Sequence, residues 1–302
     1  MRQSMRPASL VARLWTQGPP LATLLALMTA RHKRSLAAPC LSLLAACGAA
    51  TGRFPGTLPP GPSLQEVLAA RPPADDADPR PEDVSYRVER TALIDELRAR
   101  CRDVKPPVEP PRLKTQNLVE PVRLDPSLRL DVRYATNENF LGAKVYDEAR
   151  VFLQAEAAVA LVAVQQSLAE HGLGLLLHDG YRPWRVTKLF WEATPAAQRD
   201  FVADPANGSR HNRGCAIDLS LCDLATGAPL AMPSDFDAFT AAAHPNYQGG
   251  TRLQRWRRDL LRAAMEQQGF HVYDGEWWHF DFETWQDYPL LDVPFADLNS
   301  SK

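Results

Sequence analysis

The chain has 302 residues, of which 45% are hydrophobic and 23% charged, and a formal net charge of −2. That length allows one large domain with appendages or two small ones, and the mix is that of a soluble globular protein. The near-neutral balance argues against a nucleic-acid partner, which calls for a concentrated basic face. Five cysteines without CxxC spacing argue against a thiolate zinc site.

The front of the chain reads as an address. From Met28 a basic cluster (Arg31, His32, Lys33, Arg34) precedes a short apolar run, Leu36 to Ala46, and then Cys47. That order is the layout of a secretory signal, and the run is far below the roughly 20 residues that span a bilayer. Leu44-Ala45-Ala46-Cys47 resembles the lipobox of bacterial lipoproteins, in which cleavage precedes the cysteine and its thiol carries the lipid. Counted from Met1 the signal is too long, so residues 1–47 are expected to be a signal region with Met28 as the true start and Cys47 as the lipidation site. The plain alternative is a disordered Ala/Leu-rich tail. Residues 48–84 are rich in Pro, Gly, Ala and Asp, and are expected to be a tether that cannot bury enough surface to fold. The protein is thus expected to be exported to the periplasm or envelope as an anchored lipoprotein, with a cytoplasmic location as the alternative.

Residues 85–302 read as the folded domain. Val88–Arg102 has helical apolar spacing, and Leu128–Tyr134 (LRLDVRY) alternates as a strand does. Ala149–His171 predicts a long helix stopped by Gly172, and Leu173–His178 a buried strand. Pro183 opens a helix reaching Ala193. Cys215–Cys222 reads as a strand, Arg252–Gln268 as an amphipathic helix closed by Gly269, and Trp277–Phe282 as a strand. Strict βαβ alternation is missing, so the expected class is α+β: a small central antiparallel sheet flanked by helices.

Two stretches could carry chemistry. In SRHNRGCAID, strand parity turns Cys215 and Ile217 toward the core and Asp218 to the opposite face, where a buried carboxylate needs a partner. The same parity separates Cys215 from Cys222 and argues against their pairing. Gly208 and Gly214 let the chain fold back, so that His211 and Asp218 can meet. In GEWWHFDF, His279 shares a face with Trp277 and Asp281, and Gly275 allows a bend that redirects Glu276. A strand carrying His279 beside the Asp218 strand completes a His/Asp/His set with an open fourth position, the sphere of a catalytic zinc. Glu276 could then take a proton from a water at the metal. On spacing alone the ordinary readings stay open: a surface histidine, a capping or ion-paired aspartate, edge-strand residues, and tryptophans that merely pack.

Taken together, SRHNRGCAIDLSL resembles the SxHxxGxAxD signature of the D-alanyl-D-alanine dipeptidases of the VanX type, within the zinc D,D-peptidase superfamily, and EWWHF resembles their ExxH signature. YATNENFLG (Tyr134–Gly142) and LLLHDGYRP (Leu175–Pro183) agree with the same family, in the same order. The resemblance implies a sheet carrying one Zn2+ per chain, with His211, Asp218 and His279 as ligands and Glu276 as catalytic base. By position it implies that Arg182 steadies the tetrahedral intermediate, that Ser209, Tyr134 and Asp237 line a dipeptide pocket, and that Asp237 meets the substrate ammonium. The ordinary reading of Asp237 is a helix cap near 235–238. The implied substrate is D-Ala-D-Ala, in cell-wall peptide turnover; no protein partner is implied. A D,D-carboxypeptidase or endopeptidase on longer wall peptides, or a non-catalytic wall-binding lipoprotein, stands as the alternative. Cys215 stands where a small residue such as serine is usual, and His178 where an aromatic is common.

Overall fold

The computed structural model describes residues 58–72, 87–112 and 114–300. They belong to one compact unit, Arg53–Lys302. The expected signal region, Met28 and Cys47 lie outside the described residues.

A five-stranded sheet organises the domain, in the order β2-β4-β5-β7-β6. β4 is Leu173–Asp179, β5 Ala216–Asp223, β6 Phe270–Tyr273 and β7 Glu276–Phe282, and these four pair antiparallel, as expected. The edge strand β2 differs: it is only Arg129–Leu130 and runs parallel to β4. The alternating LRLDVRY pattern therefore does not continue as a strand. After Leu130 the chain turns, and Arg133–Ala135 form a short 3-10 turn that buries Tyr134. A separate antiparallel ribbon joins β1, Leu118–Val119, to β3, Leu153–Gln154.

On β5, Ile217, Leu219 and Leu221 are fully buried in the hydrophobic core. Burial of each such side chain stabilises the fold by about 1.5–3 kcal/mol. Two 15-residue helices pack against this part of the molecule, Ala155–Ala169 and Arg252–Glu266. The first starts six residues later than its Ala-rich pattern suggests, because Leu153–Gln154 is held in the ribbon and the Gln154 side chain bonds Asn117 N and Arg213 O. The second is opened by a reciprocal cap between Thr251 and Gln254. Shorter helices are Leu64–Ala69, Ile94–Cys101, Pro121–Leu124 and Trp184–Ala193.

Within the stretch expected to be a tether, residues 58–72 carry a capped helix, Leu64–Ala69, docked on Arg252–Glu266. Val67 is buried and its carbonyl accepts from Trp256 Nε1, and Gly61 N donates to Glu266. Proline content concealed this docking, because the partner surface lies some two hundred residues away. Cys101, Cys215 and Cys222 are buried free thiols.

Candidate active site

The site begins with a register. β5 and β7 are antiparallel neighbours, and their pairing sets Asp218 directly opposite His279. His211 arrives from the turn before β5. Ser209 caps that turn by accepting from His211 N, while Asn212 accepts from Ser209 N. Gly214 ends it in the left-handed region, at φ 69°. A Cβ on Gly214 would lie 2.4 Å from Leu118, so glycine is required there both by conformation and by space.

The three side chains converge. His211 Nε2 is 3.3 Å from Asp218 Oδ2, His279 Nδ1 is 3.0 Å from Asp218 Oδ1, and the two ring nitrogens are 3.1 Å apart. All three residues are buried. The outer ring nitrogens are tied elsewhere: His211 Nδ1 lies 2.8 Å from the Gly180 carbonyl, and His279 Nε2 3.0 Å from Asp281 Oδ1. Both partners only accept, so those nitrogens carry the protons. The inner nitrogens then present lone pairs to each other and to a carboxylate, and Asp218 Oδ1 is buried without a hydrogen-bond donor among the described residues. Three acceptors facing one another need a cation between them. The two-imidazole, one-carboxylate set, with its outer nitrogens anchored, fits zinc. Burial pulls the His279 imidazolium down, yet the Asp281 and Asp218 carboxylates outweigh it and push its pKa up to about 10.

Around this cluster stand the other expected residues. Glu276 opens β7, and an irregularity in the β6–β7 register beside it brings Oε2 to 3.8 Å from His279 Nδ1. Strict alternation would place residues three apart on opposite faces; the bend after Gly275 removes that constraint. Burial, reinforced by the Asp218 charge and opposed by His279, raises the Glu276 pKa to about 7. Arg182 lies in the loop after β4. Its Nε and Nη2 both bond Asp179, at 2.9 and 2.8 Å, and Nη2 lies 3.9 Å from Asp218. The Tyr134 hydroxyl donates to Asp237 at 2.9 Å, and Asp237 adopts φ 58°, a strained setting for a residue with a side chain. No helix begins at 235–238, so Asp237 is not a cap. Burial, with the Asp218 charge adding to it, raises the Asp237 carboxyl well above the usual range. Ser209 lines the same cavity, although its hydroxyl already shapes the His211 turn. The cavity measures about 360 Å3, and Tyr134, Arg182, Ser209, Asp218, Asp237, Glu276 and both histidines line it.

Two contributors were not singled out from the sequence. Asp179 faces the site because β4 is irregular between Leu177 and Asp179: Leu177 pairs with Leu219, but Asp179 pairs with Asp218. Two residues on β4 thus span one step on β5, and His178 and Asp179 reach the same side of the sheet. Periodicity cannot show such a bulge. Asp281, fully buried, braces His279 from behind; its place two residues after His279, on the same strand face, was a usable signal. The two tryptophans pack rather than form a platform. Trp277 Nε1 donates to Ser234 Oγ, and the Trp278 ring meets Phe236 edge-on, so both brace the segment that carries Asp237.

Fold and site together bring two imidazoles and a carboxylate within reach of one metal ion, with a further buried carboxylate, Glu276, beside them, an arrangement of the kind a metallopeptidase uses. A family model described as D-ala-D-ala dipeptidase matches residues 114–298, and the chain belongs to that family, the M15 peptidases, which are zinc metallopeptidases. It is 36% identical over 183 residues to the D-alanyl-D-alanine dipeptidase of Escherichia coli, covering 60% of this chain and 93% of that protein. It is 35% identical over 188 residues to the enzyme of that name from Enterococcus faecalis (56% and 89%), and 32% over 187 residues to that of Streptomyces coelicolor (54% and 93%).

Proposed function

We propose that this protein is a zinc-dependent D-alanyl-D-alanine dipeptidase that releases two D-Ala and acts in cell-wall peptide turnover. The observation that carries the reading is the meeting of three acceptor atoms at His211, Asp218 and His279, within reach of one ion. These residues would hold one Zn2+, which supplies Lewis acidity to a water and to the scissile carbonyl. Glu276, with a pKa near neutrality, accepts the proton of the attacking water and returns it to the departing amine. Arg182, locked by two bonds to Asp179, presents its guanidinium beside Asp218, where negative charge develops on the carbonyl oxygen. Asp237 receives the substrate ammonium, which would restore its charge. Buried without such a cation, that carboxylate is costly, so a free amino terminus is rewarded and an acylated one is not.

That preference favours the dipeptide over the longer wall peptides of a carboxypeptidase. The test is hydrolysis of D-Ala-D-Ala against its N-acetylated form and longer wall peptides, with and without chelator. Chelator-sensitive release of D-Ala from the free dipeptide alone supports the reading; faster cleavage of acylated or longer peptides contradicts it.

The export reading accompanies this proposal: Cys47 lipidated after cleavage of a signal starting at Met28. Mass spectrometry of the native protein tests it, and mature material retaining peptide upstream of Cys47 would end it.

A further inference from the structure

A strained residue keeps its setting only where its surroundings hold it there. Asp237 is such a residue, with φ 58°, in a turn that belongs to no helix or strand. Side-chain packing on either side of it must therefore supply much of the hold. The sequence Phe236-Asp237-Ala238-Phe239 sets one aromatic ring directly before it and another two residues after it.

The two rings are anchored differently. Phe236 is buried, stacks on His178 with centroids 4.8 Å apart and planes 17° from parallel, and meets the Trp278 ring edge-on at 5.8 Å. Both partners belong to the sheet, in β4 and β7, so this side of the turn is fixed to the frame. Phe239 packs on Phe140 at 5.3 Å and stacks on Phe201, 4.7 Å away with planes 7° from parallel. Phe201 ends the 3-10 turn Ala196–Phe201 and belongs to the stretch that leads to Ser209 and His211. It is 47% exposed and lines the catalytic cavity together with Phe239, which puts the stack at the solvent edge of that cavity. The stack thus joins two stretches of cavity wall, the one leading to His211 and the one carrying Asp237. Such ring pairs contribute beyond the area they bury. Removing the Phe201 ring loosens one side of the Asp237 turn, while the Phe236 side and the metal cluster keep their contacts.

We infer that Phe201 is a positioning residue for the reaction: through the Phe239 ring it holds Asp237 in its strained setting, ready for the substrate ammonium. The inference rests on the dipeptidase reading, with Asp237 as the ammonium site.

The test uses zinc-loaded full-length wild type, Phe201→Ala, Phe201→Leu and Phe201→Tyr, with zinc content measured in each. Two compounds are compared: D-Ala-D-Ala and its D-lactoyl analogue, in which a hydroxyl replaces the ammonium (read as kcat/KM if cleaved, as an inhibition constant if not). Loss of one aromatic stack corresponds to roughly 2- to 10-fold in binding. In Phe201→Ala, KM for D-Ala-D-Ala is expected to rise by that factor while kcat and zinc content stay near wild type. The analogue, which has no ammonium for Asp237, should respond as it does with wild type. Phe201→Leu, apolar but unable to stack, should share the loss and carries the comparison if Phe201→Ala does not fold; Phe201→Tyr should restore wild-type KM. An unchanged KM in the Ala and Leu variants, equal losses on both compounds, or a fall in kcat or zinc in place of the KM change would overturn the positioning role. Wild type that does not cleave D-Ala-D-Ala would overturn the dipeptidase reading, and the positioning role with it.

Discussion

Two histidine clusters sit on this sheet, and they are built to opposite rules. Around His178, every hydrogen-bonding group has a match. Nδ1 lies 3.2 Å from the Asp131 carbonyl and 3.4 Å from its carboxylate, and Nε2 accepts from the Ser220 hydroxyl at 3.0 Å. The ring stacks on Phe236 at 4.8 Å, and the cluster lines a second cavity of about 320 Å3. Around His211 and His279, the outer nitrogens are matched and the inner ones are not. They face each other and a carboxylate oxygen that has no donor. Both clusters combine a buried imidazole with a carboxylate, so composition does not tell them apart. Donor and acceptor counting does: a closed network holds a fold together, while a cluster of acceptors is completed only by a cation.

The largest effect expected from this contrast is on chemistry at the open cluster. Glu276→Gln should keep one zinc per chain and lose about 10^2- to 10^4-fold in kcat; undiminished D-Ala release would remove Glu276 from the base role. The pH profile sharpens the same point. Glu276 must be ionised to accept a proton, and its pKa is raised to about 7, so kcat/KM should fall as pH drops through that region. A bound dication favours the carboxylate and moves this acid limb lower, never higher. The same shift affects stability. A carboxyl raised from 4.5 to about 7 on folding costs stability as pH rises between those values. In metal-free protein, Glu276→Gln should therefore melt higher than wild type at pH 8, by about 2–4 °C per kcal/mol relieved, and the gain should vanish at pH 4. The smallest functional effect belongs to the closed cluster. His178→Phe leaves the Ser220 hydroxyl unpaired, at about 1–3 kcal/mol of stability, while zinc content and kcat should stay near wild type. A loss of zinc in that variant would blur the distinction between the two clusters.

Much of the open cluster was legible in the sequence because strand parity is a strong constraint. Asp218 lies in a run whose alternate residues are Ile217, Leu219 and Leu221, so its side chain had one face available. His279 and Asp281 follow the same rule, and Gly214 marks the turn that returns His211. The strand expected for LRLDVRY holds only at Arg129–Leu130, because parity is a local signal, whereas the 3-10 turn at Arg133–Ala135 is held by distant contacts, among them the Tyr134 bond to Asp237. The bulge that brings Asp179 beside Arg182 inserts a residue without leaving any mark in composition. The docking of Leu64–Ala69 depends on the apolar side of a helix far along the chain, while its own composition is that of a linker.

The most direct test of the account is a zinc titration of metal-free protein in three forms: wild type, Asp218→Ala and His178→Phe. One tight equivalent is expected in wild type and in His178→Phe, and no tight site in Asp218→Ala. Stoichiometric tight binding by Asp218→Ala would show that the three facing acceptors are not the metal site.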